Sequence, residues 1–183
     1  MAKKYLLDTN AYFAILKYIS AGCMDDENIN EVINGECFIS KATQIEIVSV
    51  IGKYARGSSG GLQVCERIHA DGNIKCGAKY ITPKQKKWSQ AKLKDWLRLE
   101  KEISSGINSL FSVTVLDINE QVITSAEMFI QNALLYNFKS MDSIIVGTAM
   151  ANSIEGEQMI VVTADKAMKA GMDKVKYPHI SVS

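Results

Sequence analysis

Near its start the chain carries an apolar run that stops on a carboxylate: residues 5–10 read Tyr-Leu-Leu-Asp-Thr-Asn. Tyr5, Leu6 and Leu7 suit a buried strand. Asp8, Thr9 and Asn10 are residue types that favour the start of a helix, because their side chains accept hydrogen bonds from its free N–H groups. The stretch therefore predicts a strand that hands over to a helix at Asp8. In a parallel sheet the carboxyl ends of the strands face the crevice where open α/β proteins bind ligands, so an acid at this position stands where ligands for a cation can gather.

The rest of the chain supplies the strands and helices such a sheet needs. Residues 11–19 have the mixed apolar spacing of a helix ending near Gly22, and 25–32 form a short helix candidate with acids at the end its dipole favours. Residues 36–39 are strand-like, Ser40 suits a helix cap, and 41–53 read as a helix that is apolar on most sides and largely buried. Residues 111–116 form a β-branched run, 120–136 a helical pattern, 141–152 a helix of small residues and 158–163 a second buried strand. A short helix over 166–170 and a strand over 179–182 complete the pattern. Strands separated by helices predict an α/β chain with three layers and a central parallel sheet. At 183 residues this is one domain, 1–183, long enough to bury a core.

Residues 57–106 have a different character. Arg56-Gly57-Ser58-Ser59-Gly60-Gly61 is a flexible break, followed by a short segment over 62–70 and a polar connection to Pro83. Pro83 suits the first turn of a long helix running to about Ser105. Between Gly72 and Lys94 there are seven lysines and no acid, so the insertion is predicted to be helical and basic. Lys75, Lys79, Lys84, Lys86 and Lys87 suit contacts to nucleic-acid phosphates, with Trp88 or Tyr80 to stack on a base. A solvated basic face with Trp88 packed inward competes with that expectation.

The available side chains narrow the chemistry. Only His69 and His179 could support histidine-centred catalysis. Cys23, Cys37, Cys65 and Cys76 are scattered in the manner of reduced thiols, and Cys65, His69 and Cys76 lack the CxxC pair and fourth ligand of a zinc site. No apolar stretch is long enough to span a bilayer and no leader-like segment opens the sequence, so no membrane association and a cytoplasmic location are expected. Carboxylates must then do the work. Glu46 is the only charged residue between Lys41 and Lys53, where an unpaired buried charge would be costly, unless it shares an exposed stripe with Lys53. Asp142 opens the 141–152 helix and Asp165 follows the strand at 158–163, positions that dipole and capping effects also favour. Acids brought to one edge repel one another and call for a divalent cation. Mg²⁺ or Mn²⁺ suits oxygen-only ligands, and such ions promote phosphodiester hydrolysis.

The pattern Leu7-Asp8-Thr9-Asn10, then Ser40 followed by Glu46, then Asp142-Ser143-Ile144-Ile145-Val146-Gly147-Thr148-Ala149, then Val162-Thr163-Ala164-Asp165 resembles PIN-domain ribonucleases, especially VapC-like toxins of bacterial and archaeal toxin–antitoxin systems. The resemblance covers roughly residues 4–53 and 113–182, and it rests on order and spacing rather than on one motif. It implies a PIN-like fold in which Asp8, Glu46 and Asp142 are the core metal-binding and catalytic acids and Asp165 is the fourth. Asn10 and Thr163 would be supporting polar groups that hold a carboxylate or water, and Thr9 would help to steer the site. The implied activity is Mg²⁺- or Mn²⁺-dependent endonucleolytic cleavage of RNA by a metal-activated water, leaving a 5′-phosphate and a 3′-hydroxyl. The implied partners are RNA, a protein antitoxin and a second copy of the chain. Residues 57–106 match no motif of that family.

Two other classes share some of these features. A PIN-like RNA-binding or scaffold module would keep the fold and cut nothing. A haloacid-dehalogenase-like phosphatase also begins with an Asp after a strand, but it wants a second Asp two residues later, where this chain has Asn10.

Overall fold

β1 (Lys4–Leu7) pairs in parallel with β2 (Glu36–Ser40) on one side and with β6 (Ile160–Val162) on the other. β5 (Thr114–Leu116) extends the sheet beyond β2, and β7 (His179–Ile180) extends it beyond β6, giving the order β5-β2-β1-β6-β7 with every pairing parallel. The structure is a computed structural model, and it describes residues 2–22, 27–65, 77–134, 139–154 and 157–182. The chain leaves β1 for β2 and β5 before crossing to β6 and β7, so the strand order reverses between β1 and β6. That reversal is where an open α/β sheet leaves a crevice at its carboxyl edge.

Alternation along β1 divides the molecule into layers, because successive strand side chains point to opposite faces. Tyr5 and Leu7 enter one apolar core with Tyr12, Ile15 and Leu16 of α1 (Thr9–Ala21) and with Ile47 and Ile51 of α3 (Lys41–Arg56). The same core takes Ile29 and Val32 of α2 (Glu27–Ile33) and Trp96 and Ile103 of α4 (Gln90–Ser104). Leu6 enters a second core with Phe129 of α5 (Glu120–Asn132), Ile145 and Val146 of α6 (Ser140–Ala151), and Met168 and Met172 of α7 (Lys166–Lys174). The result is the predicted three-layer α/β architecture with a central parallel sheet. Among the described residues no helix is long and apolar enough to cross a membrane.

Several boundaries differ from expectation for identifiable reasons. α1 starts at Thr9 because Asp8 itself is the N-cap, its carboxylate accepting from the Ala11 N–H. α3 is capped by Ser40 as predicted, yet it is not apolar on most sides of its buried length. Ile47 and Ile51 are buried whereas Ile45 and Val48 are 67% and 48% exposed. Adjacent aliphatic residues lie about 100° apart on a helix and cannot all face one core. Asp25 and Asp26 of the predicted second helix lie outside the described residues.

The insertion is corrected most. It opens with an antiparallel ribbon of β3 (Gly61–Val64) and β4 (Lys79–Thr82), and its helix begins only at Gln90, where the Ser89 hydroxyl accepts from the Lys92 N–H. Tyr80, Ile81 and Thr82 are strand-forming types, and Pro83 ends their strand instead of starting a helix. The ribbon is rooted where Gly57, at φ 72°, passes so close to the Gln85 carbonyl that a Cβ would lie 2.6 Å from its oxygen. Only glycine accommodates both the left-handed backbone and that approach.

α4 closes over the first core through aromatic contacts. Trp96 lies 5.3 Å from Phe13 and 4.9 Å from Trp88, centroid to centroid, and Phe13 stacks on Tyr54 at 4.4 Å. Within this apolar joint Glu100 is buried, and its Oε1 and the Tyr12 hydroxyl have no hydrogen-bond partner among the described residues. Burial raises the Glu100 carboxyl above its ordinary 4.5, while Ser104 pulls in the opposite direction. An acid whose folded pKa is raised stabilises the fold fully below its unfolded pKa, and that stability is lost as pH rises through the folded value. Glu100→Gln should therefore raise the melting temperature at pH 8, by more than it does at pH 4, in thermal melts recorded across that range.

Candidate active site

Asp8 lies where β1 ends, with its N–H donating to the Val162 carbonyl of β6 at 3.0 Å. Its side chain is only 2% exposed. Oδ1 accepts from the Ala11 N–H at 2.6 Å, and Oδ2 accepts from the Thr163 hydroxyl at 2.5 Å. Thr163 is the first residue after β6, and its hydroxyl oxygen also accepts from the Asp165 N–H at 3.0 Å. Asp165 then caps α7, its Oδ1 accepting from the N–H groups of Ala167 and Met168. The strand pairing thus delivers Asp8, Thr163 and Asp165 to the β1/β6 crevice.

Helices bring the other two acids. Asp142 stands in the first turn of α6, where its Oδ2 accepts from the Lys139 N–H at 3.2 Å, one half of a capping box. Glu46 lies half-buried on α3, and its Oε2 accepts from the Thr9 hydroxyl at 2.5 Å. One turn earlier the Thr43 hydroxyl donates to the Leu7 carbonyl at 3.5 Å, tying the start of α3 to the end of β1.

Electrostatics link these groups. Burial pushes the Asp8 carboxyl up to about 6, opposed by its bonds from Thr163 and Ala11 and reinforced by the charges of Asp165 and Asp142. Burial also raises Asp142; the Lys139 N–H and charge oppose the rise, and the charges of Asp165 and Glu46 add to it. Asp165 thus acts on both Asp8 and Asp142, Asp142 on Asp8, and Glu46 on Asp142. As they stand, no three acids among the described residues are close enough to hold one ion between them. The donor set of carboxylates and hydroxyls, without imidazole or thiolate, matches a hard divalent cation.

The remaining predicted residues are placed differently. Asn10, in the first turn of α1, is exposed, and among the described residues no hydrogen bond joins it to the acids. Lys79, Lys84, Lys86 and Lys87 are exposed on the ribbon and the connection after it, while Lys75, His69 and Cys76 lie outside the described residues. Trp88 is half-buried against Trp96, with the Lys92 ammonium 4.7 Å from its ring centroid, so its ring serves the packing of the insertion. Thr9 begins α1 and also pairs with Glu46, 37 positions on, a partnership for which the sequence carries no local signal.

Asp8 carries a stability cost that can be measured. Its folded carboxyl, at about 6, stands above the ordinary 3.8, so ionisation disfavours the fold and stability falls as pH rises through about 6. Asp8→Asn keeps an oxygen for the Ala11 N–H and removes the charge. With EDTA present it should melt higher than the parent at pH 8, by about 2–4 °C for each kcal/mol relieved. The two proteins should converge toward pH 4.

No family model matches the chain, and no curated protein matches it. Solved structures do. The chain is similar to one in a structure of FitAB bound to an IR36 DNA fragment, with a TM-score of 0.54 and 15% identity over 97% of this chain and 94% of that one. It is similar to VapBC2 from Rickettsia felis bound to a DNA fragment from its promoter, with a TM-score of 0.53 and 14% identity over 97% of each chain. It is also similar to DNA-bound VapBC from Salmonella typhimurium, with a TM-score of 0.52 and 16% identity over 98% of each chain. At such low identity the likeness is one of fold, and the chain has the PIN-like fold of these proteins, a central parallel sheet flanked by helices.

Proposed function

We propose that this protein is a Mg²⁺- or Mn²⁺-dependent endoribonuclease that hydrolyses RNA phosphodiester bonds and acts as the toxin of a toxin–antitoxin pair. The observation that carries the proposal is the gathering of acids at the β1/β6 crevice. The Thr163 hydroxyl joins the Asp8 carboxylate to the backbone N–H of Asp165 there, the charges of Asp165 and Asp142 act on Asp8, and that of Glu46 acts on Asp142. Such a site is short of positive charge, which a divalent cation or a protonated state would supply.

In this proposal Asp8, Glu46, Asp142 and Asp165 are the residues that would hold the ion, drawing closer around it than they stand without it. A divalent cation held there would supply a Lewis acid for a phosphodiester oxygen and would lower the pKa of a water enough for attack near neutral pH. The chain's own contribution is orientation. Thr163 and the Ala11 N–H each engage one oxygen of Asp8, Lys139 offers its N–H to Asp142, and Thr9 engages Glu46. Lys79, Lys84, Lys86 and Lys87 add exposed positive charge for RNA phosphates beyond the scissile bond. The likeness to chains from toxin–antitoxin complexes supports a protein antitoxin as a partner, and a homodimer is part of the same proposal. A phosphatase that uses a second acid two residues after Asp8 is disfavoured, because the exposed Asn10 occupies that position.

Purified protein should cut single-stranded RNA with Mg²⁺ or Mn²⁺ and stop when EDTA is added. Asp8→Asn should abolish cutting while the far-ultraviolet circular dichroism stays unchanged, and Thr163→Val should slow it about 10–100-fold. Metal-independent cutting, or full activity in Asp8→Asn, would refute the nuclease; RNA binding without cleavage under every metal would favour the non-catalytic module. Changing Lys79, Lys84, Lys86 and Lys87 to Ala should flatten the salt dependence of RNA binding by about 0.7 in the log–log slope for each phosphate those lysines neutralise.

A further inference from the structure

We propose that Thr9 is a positioning residue for Glu46, and that its hydroxyl sets how tightly the acid site holds a divalent cation. The inference rests on the nuclease proposal and goes beyond it by tying one hydroxyl to the affinity of the site for a cation. Thr9 is 5% exposed and directly follows Asp8, so one dipeptide carries both an acid of the site and the group that holds another. Its hydroxyl proton goes to Oε2 of Glu46, which leaves Oε1 outside that bond.

The local structure explains why this hydroxyl is available. Inside a helix a threonine hydroxyl often turns back to the carbonyl four residues earlier. At the first position of α1 the residue four back is Tyr5, in β1, so that intrahelical acceptor does not exist. The stiff, branched side chain then offers its proton across to α3. Glu46 by contrast is long and half-buried, and would sample several rotamers without a fixed partner.

The backbone of α3 does not depend on Thr9. Ser40 caps that helix, and the Thr43 hydroxyl reaches the Leu7 carbonyl from the turn before Glu46. Loss of the Thr9 hydroxyl should therefore release the Glu46 carboxylate and leave its helix in place. Thr163 shows the same arrangement on the other side of the crevice, where a fully buried hydroxyl donates to Asp8. Partners of this kind commonly change metal affinity or activity by 10–100-fold when removed.

The test compares Thr9→Val, which keeps the shape and loses the hydroxyl, with Thr9→Ser, which keeps the hydroxyl; Thr9→Ala serves if valine crowds the site. Mn²⁺ affinity is measured by calorimetry, alongside RNA cleavage as a function of Mn²⁺ concentration and melting in EDTA. Thr9→Val should bind Mn²⁺ about 10–100-fold more weakly. Its cleavage should recover at high Mn²⁺ with the KM for RNA unchanged, its melting point in EDTA should stay near that of the parent, and Thr9→Ser should behave as the parent does. Added to Glu46→Gln, the Thr9→Val change should cost nothing more. Parental Mn²⁺ affinity in Thr9→Val, an equal loss in Thr9→Ser, or additive losses with Glu46→Gln would overturn the role. A parent that binds Mn²⁺ without cutting RNA refutes the nuclease and leaves the affinity comparison to decide on Thr9; a parent that binds no Mn²⁺ overturns both.

Discussion

Burying a carboxylate at the end of the central strand is the constraint on which the rest of this site depends. An uncompensated charge at such a position costs on the order of several kcal/mol. Asp8 meets part of that cost locally, because it is the N-cap of α1 and so faces the positive end of a helix dipole while accepting the Ala11 N–H. Thr163 meets another part from the neighbouring strand. These partners are backbone and hydroxyl groups, and they do not neutralise the charge; the Asp8 carboxyl still stands near 6. The fold thus keeps an acid in a condition that stability alone would not select, which is the usual mark of a residue retained for function.

The topology explains why several acids reach that edge of the sheet. β1 is flanked by β2 and β6, and the chain reaches those neighbours by separate crossovers, so the residues beyond the end of each strand arrive at one edge. After β1 comes Asp8, after β2 comes α3 with Glu46, and after β6 come Thr163 and Asp165. Asp142 arrives differently, on a helix pressed against α5. A Cβ on Gly147 would lie 2.7 Å from the Ala126 nitrogen and the Val122 carbonyl oxygen, so α6 approaches α5 as closely as backbone atoms permit. The small residues of α6 are thereby tied to where its first turn, and Asp142 with it, is placed.

Much of this arrangement is legible in the sequence, and the parts that are not share a cause. Strand-like runs that stop on acids announce Asp8 and Asp165, and the alternation of strands with helices announces a parallel sheet. Both are local signals with a period. Aliphatic richness overstates the burial of α3 because it does not say which face is inward; Ile45 and Val48 face solvent while Ile47 does not. Pro83 misleads because proline suits both the first turn of a helix and the end of an edge strand. The bond from Thr9 to Glu46 spans 37 positions and depends on how α1 and α3 cross, which no window of sequence encodes.

The insertion and the acid site also differ in what holds them. The acid site is held by hydrogen bonds on buried and half-buried carboxylates, most of them at a strand end or in the first turns of a helix. The ribbon of β3 and β4 exposes Leu62, Val64, Tyr80 and Ile81, and an isolated two-stranded ribbon is marginal in water. Its root is secured instead by the close approach of Gly57 to Gln85 and by the Trp88 N–H on the Ala55 carbonyl. Gly57 lies about 16 Å along the α3 axis from Glu46, from the rise of about 1.5 Å per residue. In the proposed nuclease, an RNA held by the lysines at that root with its scissile phosphate at Asp8 would therefore extend over several nucleotides.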